Sequence, residues 1–336
     1  MNVSSVKRWT AEAPSNIALI KYMGKIDGGA ANQPTNTSLS FTLGHLKSIV
    51  QLEYDEHFAQ DTWEPLTSFS GRTFETLQLN QKGIDRFVAH LSLLKTGFDF
   101  KGHFKIRSAN DFPSDCGLAS SASSFAALTK VGLVALAELT GKPVPTATEA
   151  ANWSRRGSGS SCRSFFEPWV LWAPDHVSDV PALKAWGNLI HQVVVVNAEV
   201  KAVPSSEAHK RVTSSLLFAG RPNRADVRVP DFVKALETER WRDAFEIAWT
   251  EFWDMHALFE TSQPSFGYMT AGSLEVLNFV RESLWVKEND GPIVTMDAGP
   301  NVHLLYRNDD RGRRAAAKVS QNFAGKFRIY SSEAMK

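Results

Sequence analysis

The stretch "FPSDCGLASSASSFAALTKVGLVALAELTG", residues 112–141, decides how this chain folds. From 120 onward nearly every position is apolar or small, which predicts a helix buried on all sides over 120–141. Gly141 and Pro143 supply its stop. Ahead of it, a proline, a turn residue and Gly117 lead into Leu118 and the small residues 119–123. Two readings stand for that entrance. A plain serine N-cap needs only one side-chain oxygen. A run of small side chains (Ala119, Ser120, Ser121, Ser123) instead lets an anion reach the unpaired N–H groups of the helix mouth, where the dipole also favours negative charge.

Around this helix the chain alternates between extended and helical patterns. Extended stretches are expected at 6–23, 47–55 and 103–108, then near 164–173 and 190–200, at 292–297 and 301–307, and in a final "KFRIYS". Helices are expected at 82–96, 146–155, 204–219, 231–238, 240–260, 265–287 and 311–323. The order is that of an α+β protein with a boundary between about 185 and 200. The tryptophans at 241, 249, 253 and 285 fall on helical patterns and are expected in the core or an interface.

Composition narrows the function. The chain has 336 residues, a formal net charge of +1, 43% apolar and 22% charged residues, values ordinary for a globular protein. No long-range field argues for nucleic acid or an acidic membrane surface. The first residues lack the apolar core of a signal peptide, and the apolar runs read as too short and interrupted for a membrane span. Two cysteines, Cys116 and Cys162, make neither a disulfide framework nor a zinc site. The expectation is a cytoplasmic, reduced protein without a structural zinc site, whose metal ligands the sequence does not name.

A second glycine-containing stretch is "SRRGSGSSCRSFFEPWVLW", residues 154–172. It reads as a flexible linker or as an anion pocket. In the pocket reading Gly157 and Gly159 let N–H groups approach a ligand, and Ser158, Ser160 and Ser161 add hydroxyls. Arg163 would then grip a carboxylate or phosphate through two parallel hydrogen bonds. A third stretch is "VTMDAGPNVHLLY", 294–306, either a hairpin with Asp and Asn in its turn or a strand end that aims Asp297 at a hydroxyl. The Gly-Lys pairs at 24–25, 141–142 and 325–326 lack the spacing of a Walker loop, and no GxGxxG or GxSxG occurs.

Taken with "EAPSNIALIKYMGK" (12–25) and "NQPTNTSLSFTL" (32–43), these stretches resemble the mevalonate diphosphate decarboxylase family of the GHMP kinase superfamily, in order and rough spacing from about residue 12 to 306. The resemblance implies a ribosomal S5-like N-terminal domain (1–190) and a ferredoxin-like C-terminal domain (191–336), usually as a homodimer. It implies ATP- and Mg²⁺-dependent conversion of 5-diphosphomevalonate to isopentenyl diphosphate, ADP, phosphate and CO₂. Asp297 then matches the aspartate that orients or deprotonates the 3-hydroxyl. Arg163, supported by Asn16, matches the arginine on the C1 carboxylate. Ser158, Gly159, Ser160, Ser161 and Ser206 match substrate contacts. Tyr22, Met23, Gly24 and Lys25 match the substrate strand, with Lys25 and Arg72 as diphosphate partners. The residues from Gly117 to Ser123 take the ATP phosphates. Two departures stand out, Met23 where the family has tryptophan and Ile26 where many relatives have a cation. They keep a 5-monophosphate decarboxylase, or a kinase that stops after phosphorylation, as alternatives.

Overall fold

A computed structural model describes residues 6–26, 31–112, 120–197 and 201–333. Its N-terminal half is built on β1 (Lys7–Ile20) and the long β2 (Ser38–Tyr54), which pair antiparallel along their length. The register jumps between Pro14 and Ser15, so Gly44–Leu46 of β2 bulges and bends the ribbon. The short β3 (Thr62–Pro65) and the hairpin β4 (Ser68–Phe69) with β5 (Arg72–Thr73) follow. β6 (Phe104–Asn110) and β7 (Trp169–Trp172) pair with opposite ends of β2, and β8 (Val177–Asp179) extends the sheet beyond β7.

The helices α1 (Gln81–Phe98) and α2 (Ser120–Thr140) cover one face of this sheet. Leu91 and Leu94 of α1 meet Phe125, Leu128 and Val131 of α2, each fully buried apolar side chain contributing about 1.5–3 kcal/mol. Gly132 permits the close approach of the two helices, since a Cβ there would lie 2.8 Å from Leu94 Cδ1. α2 is long and apolar enough to cross a membrane, contrary to the expectation from the sequence, yet most of it is buried inside the protein. α3 (Ala147–Arg155) begins with a capping box of Thr146 and Glu149. A 3₁₀ stretch, Gly159–Phe165, occupies most of the serine-rich run, so the expected strand shrinks to β7.

The C-terminal half starts at β9 (Ile190–Val195) and continues through α4 (Ser205–Arg211), α5 (Arg221–Glu237), α6 (Trp241–Glu260) and α7 (Ala271–Asn278). It closes with β10 (Ile293–Thr295), β11 (Val302–Tyr306), α8 (Asp310–Asn322) and β12 (Arg328–Ser331). The all-antiparallel order β10-β11-β9-β12 gives the βαββαβ arrangement of a ferredoxin-like fold. α5 starts ten residues before the sequence expectation because Pro230 lies inside it, whereas a proline ordinarily marks a helix start. Helix is also absent from 265–270, and α7 begins only at its Thr270 cap.

One apolar core joins the halves. It runs from Ile17, Leu19, Phe41 and Trp169 of the first sheet through Phe232, Trp241 and Phe252 of α5 and α6 to Val193, Val194 and Leu304 of the second. Trp285 is buried in it, while Trp249 and Trp253 pack against it half-buried. The end of β1 therefore emerges against the end of β10, where Thr295 Oγ1 donates to the Ala18 carbonyl at 2.9 Å.

Candidate active site

β1 ends at Ile20, and the next five residues line the junction of the two halves. A cleft of about 710 Å³ opens there. It is lined by Lys21, Tyr22, Met23 and Lys25 from this segment, Ser120 and Ser121 from the mouth of α2, and Ser158, Gly159, Ser160 and Arg163 from the serine-rich turn. Lys201, Ser205, Ser206, His209, Met255 and Asp297 close it from the C-terminal half. The three glycine-containing stretches thus meet across one cavity, though residues Gly117, Leu118 and Ala119, together with Cys116, lie outside the described residues.

Lys21 and Asp297 form its centre. Lys21 is 1% exposed along its side chain, and its Nζ lies 2.7 Å from Asp297 Oδ1. Its backbone is fixed on both sides: the N–H donates to Glu251 Oε1 at 2.8 Å, and the carbonyl accepts from Asn36 Nδ2 at 2.9 Å and Arg221 Nη2 at 3.3 Å. Arg221 and Glu251 are both fully buried and paired, and Asp254 and Arg228 extend the network. Such a cluster is held together by mutual neutralisation, because an unpaired charge at that depth would be very costly.

Asp297 keeps 30% of its side chain open to the cleft. Burial pushes its carboxyl up, but the charge and hydrogen bond of Lys21 outweigh this, aided by His303 and Arg163, and hold it at about 2. It is ionised at neutral pH. The turn beneath it is anchored by His256 Nε2 at 3.2 Å from the Asp297 carbonyl and by Lys201 Nζ on the Ala298 carbonyl. Asn301 secures the turn by accepting from the Val196 N–H at 2.9 Å. The hairpin reading therefore holds for the backbone, while the Asp297 carboxylate is aimed away from the turn at Lys21.

Arg163 is 4% exposed, and its Nε and Nη1 are buried without any hydrogen bond. It lies on the 3₁₀ turn that Asn16 holds from below, through Nδ2 to Ser164 Oγ at 2.9 Å and to the Ser160 carbonyl at 3.3 Å. Asn16 itself is buried beneath the turn, with Oδ1 unpaired. A buried guanidinium with two idle donors at the wall of a cleft is a receptor for a planar anion.

Other expected residues fall elsewhere. Ser161 is fully buried and bonded to Ser154 Oγ and the Ser158 carbonyl, so it builds the turn. Ser123 is likewise buried, against Ser48 Oγ at 2.7 Å. Arg72 sits on β5, ion-paired to Glu12 and stacked on Phe74, and does not line the cleft. Gly24 contributes backbone only; its φ of +106° and a Cβ position 2.7 Å from Thr35 Oγ1 leave room for no side chain. Cys162 is buried, with its thiol pushed up to about 12 by burial. Met23 packs against Met255, Phe259 and Ala298.

Lys25 Nζ is held by Asn32 Oδ1 at 2.6 Å, and Asn32 Nδ2 in turn reaches the Arg155 carbonyl at 2.7 Å. Burial, Arg86 and Lys210 lower the Lys25 pKa, which marks a locally cationic end of the cleft. Lys82 and Arg86 of α1 also line it. Among the described residues no group of His, Cys, Asp or Glu is placed to hold a metal ion. Lys21, Asn32, Lys201 and His209 line the cleft although the sequence does not single them out; Lys21, in the apolar run "ALIKYM", carries the best available signal.

Two family models match the chain, one described as "Diphosphomevalonate decarboxylase-like N-terminal domain" over residues 13–180 and one as "Mevalonate 5-diphosphate decarboxylase C-terminal domain" over 191–333. The chain is similar to a mevalonate diphosphate decarboxylase from Legionella pneumophila, with 45% identity and TM-score 0.86 over 96% of this chain and 100% of that one. A second solved chain, captured with MVAPP, AMPPCP and magnesium, shows 28% identity and TM-score 0.83 over 97% of each chain. The diphosphomevalonate decarboxylase of Schizosaccharomyces pombe is 31% identical over 97% of this chain and 86% of its own length.

Proposed function

The chain belongs to the diphosphomevalonate decarboxylase family, and on that premise we propose how its cleft works. The reaction is ATP-dependent decarboxylation of 5-diphosphomevalonate to isopentenyl diphosphate, with ADP, phosphate and CO₂ as the other products. The observation that carries this reading is Arg163, a buried guanidinium with idle donors facing the same cavity as an ionised aspartate. A kinase that stops after phosphorylation has no need of a carboxylate receptor beside the phosphorylated hydroxyl.

The substrate's 3-hydroxyl is tertiary and a poor leaving group until it is phosphorylated. Asp297, fixed by Lys21, accepts a hydrogen bond from that hydroxyl and points its oxygen along the line of phosphoryl transfer. With a pKa of about 2 it is a weak base, so orientation precedes proton acceptance, which comes late in a loose phosphoryl-transfer transition state. Lys21 keeps a positive charge beside the oxygen that departs. Arg163 grips the C1 carboxylate, holding it beside C3, where positive charge develops as phosphate leaves and CO₂ is lost. Lys25 takes the 5-diphosphate end, and Ser158, Ser160 and Ser206 add hydroxyl contacts.

Ser120 and Ser121 open α2 toward the ATP phosphates, where helix N–H groups favour anions. The residues fit a magnesium ion that arrives on the nucleotide, since Ser120 and Ser121 offer oxygen donors and phosphate and water complete such a shell. When bound, that ion neutralises charge on the β- and γ-phosphates.

We further propose that 1–190 and 191–336 act as two domains sharing one core, in a cytoplasmic homodimer; the resemblance supports the assembly, and light scattering measures it. The carboxylate grip is tested by calorimetry. Arg163→Gln should weaken 5-diphosphomevalonate strongly while leaving isopentenyl diphosphate, which lacks the carboxylate, unchanged. Equal losses for both ligands would refute it.

A further inference from the structure

His209 stands on α4 between the Tyr22–Lys25 segment and the cleft. The backbone N–H of Gly24 donates to His209 Nδ1 at 3.0 Å. An N–H has only a donor to offer, so Nδ1 must carry a lone pair, and the ring's proton resides on Nε2. The ring lies against Tyr22, with centroids 4.3 Å apart, which fixes its plane. Nε2 makes no hydrogen bond among the described residues, and the part-buried residue lines the cleft beside Lys25 and Ser206. Burial, with Lys25 and Arg163 nearby, pulls its pKa down to about 3, so the ring stays neutral.

We infer that His209 is a specificity-determining residue, presenting a fixed, uncharged Nε2–H donor to the diphosphate group of the substrate. Its neighbours at that end of the cleft are cations on long side chains, which attract any phosphate. A neutral donor of fixed direction adds selection by position, because only an oxygen that reaches Nε2 gains the bond. Gly24 is part of the device: its positive φ turns the N–H toward the imidazole and so sets the tautomer.

This inference rests on the diphosphate reading above, and its test separates the two. Two substitutions divide the roles of the ring's nitrogens. His209→Asn keeps an acceptor for the Gly24 N–H but removes the cleft donor, and His209→Gln restores an N–H near the position of Nε2 without that acceptor. Binding of inorganic diphosphate is measured by calorimetry on each protein, independently of turnover, beside KM and kcat for 5-diphosphomevalonate. Loss of one hydrogen bond to a charged group predicts diphosphate binding about tenfold weaker in His209→Asn and within about threefold of wild type in His209→Gln. KM should follow the same order, with kcat changing less. Tight binding by His209→Asn, or weak binding by His209→Gln alone, would make the ring merely a prop for Gly24 and overturn the inference. Failure of the wild-type protein to bind diphosphate would overturn it too. Absence of CO₂ from wild type despite diphosphate binding would instead strike the proposed reaction.

Discussion

Lys21 Nζ and Asp297 Oδ1 meet at 2.7 Å across the junction of two sheets whose contributing residues lie 276 positions apart. The pair joins the end of β1 to the end of β10, so the reacting centre exists only when both halves are docked. Asp297→Asn keeps the shape and removes the charge that orients the hydroxyl. Its kcat is expected to drop about 10²–10⁴-fold with substrate affinity changed far less, as read by steady-state kinetics and calorimetry together. A comparable loss in affinity would mean that Asp297 serves binding instead.

Lys21→Met tests the other member. The carboxylate would lose its largest stabilising neighbour while remaining partly buried, so its pKa should climb from about 2. The rate of the variant, measured from pH 4 to 8, should fall on the acid side at a pH where the wild type is flat. An unchanged acid limb would show that Lys21 does not set the charge state of Asp297.

The brace behind Lys21 has a stability consequence. Arg221→Met leaves Glu251 buried beside the Lys21 N–H with less compensation, and a broken buried pair costs about 3–5 kcal/mol. Urea denaturation should register that loss. Replacing both Arg221 and Glu251 by apolar residues should recover part of it, and a single variant as stable as wild type would contradict the account.

Acid should weaken the fold through histidines. His45, His191 and His303 form a hydrogen-bonded row, at 3.1 and 3.0 Å, between the β2 bulge and the second sheet. Burial holds His45 and His303 at about 4, below the ordinary 6.5, and pulls His191 well below that ordinary value too. The unfolded chain therefore takes up protons first as pH falls. The contribution is whole above about 6.5 and is lost progressively toward 4. Denaturation midpoints at pH 7, 6 and 5 should decline in that order, and His303→Asn should flatten the trend.

Much of this molecule is legible from its residues. The all-round apolar pattern of 120–140 specifies a buried helix because a helix without a polar face has nowhere else to go. Arg163 and Asp297 can be singled out because each sits in a short stretch with its own turn chemistry. Lys21 cannot be, since its partner Asp297 and its brace Glu251 arrive from the other half of the chain, and no local spacing encodes a contact of that range. Ser123 and Ser161 read as ligand donors because hydroxyls look alike in a sequence; which of them turn inward is settled by packing against Ser48 and Ser154. Arg72 lies outside the lining of the cleft, as β5 carries it to Glu12 on the edge of the sheet.

The central claim is that one cavity phosphorylates a tertiary hydroxyl and then releases the neighbouring carboxylate as CO₂. It is tested most directly by giving the purified protein Mg·ATP with mevalonate, its 5-phosphate or its 5-diphosphate, and following ADP and CO₂ together. The account predicts equal ADP and CO₂ from the 5-diphosphate and neither from the other two, with both products absent in Asp297→Ala. ADP without CO₂, or turnover that favours the 5-phosphate, would contradict it.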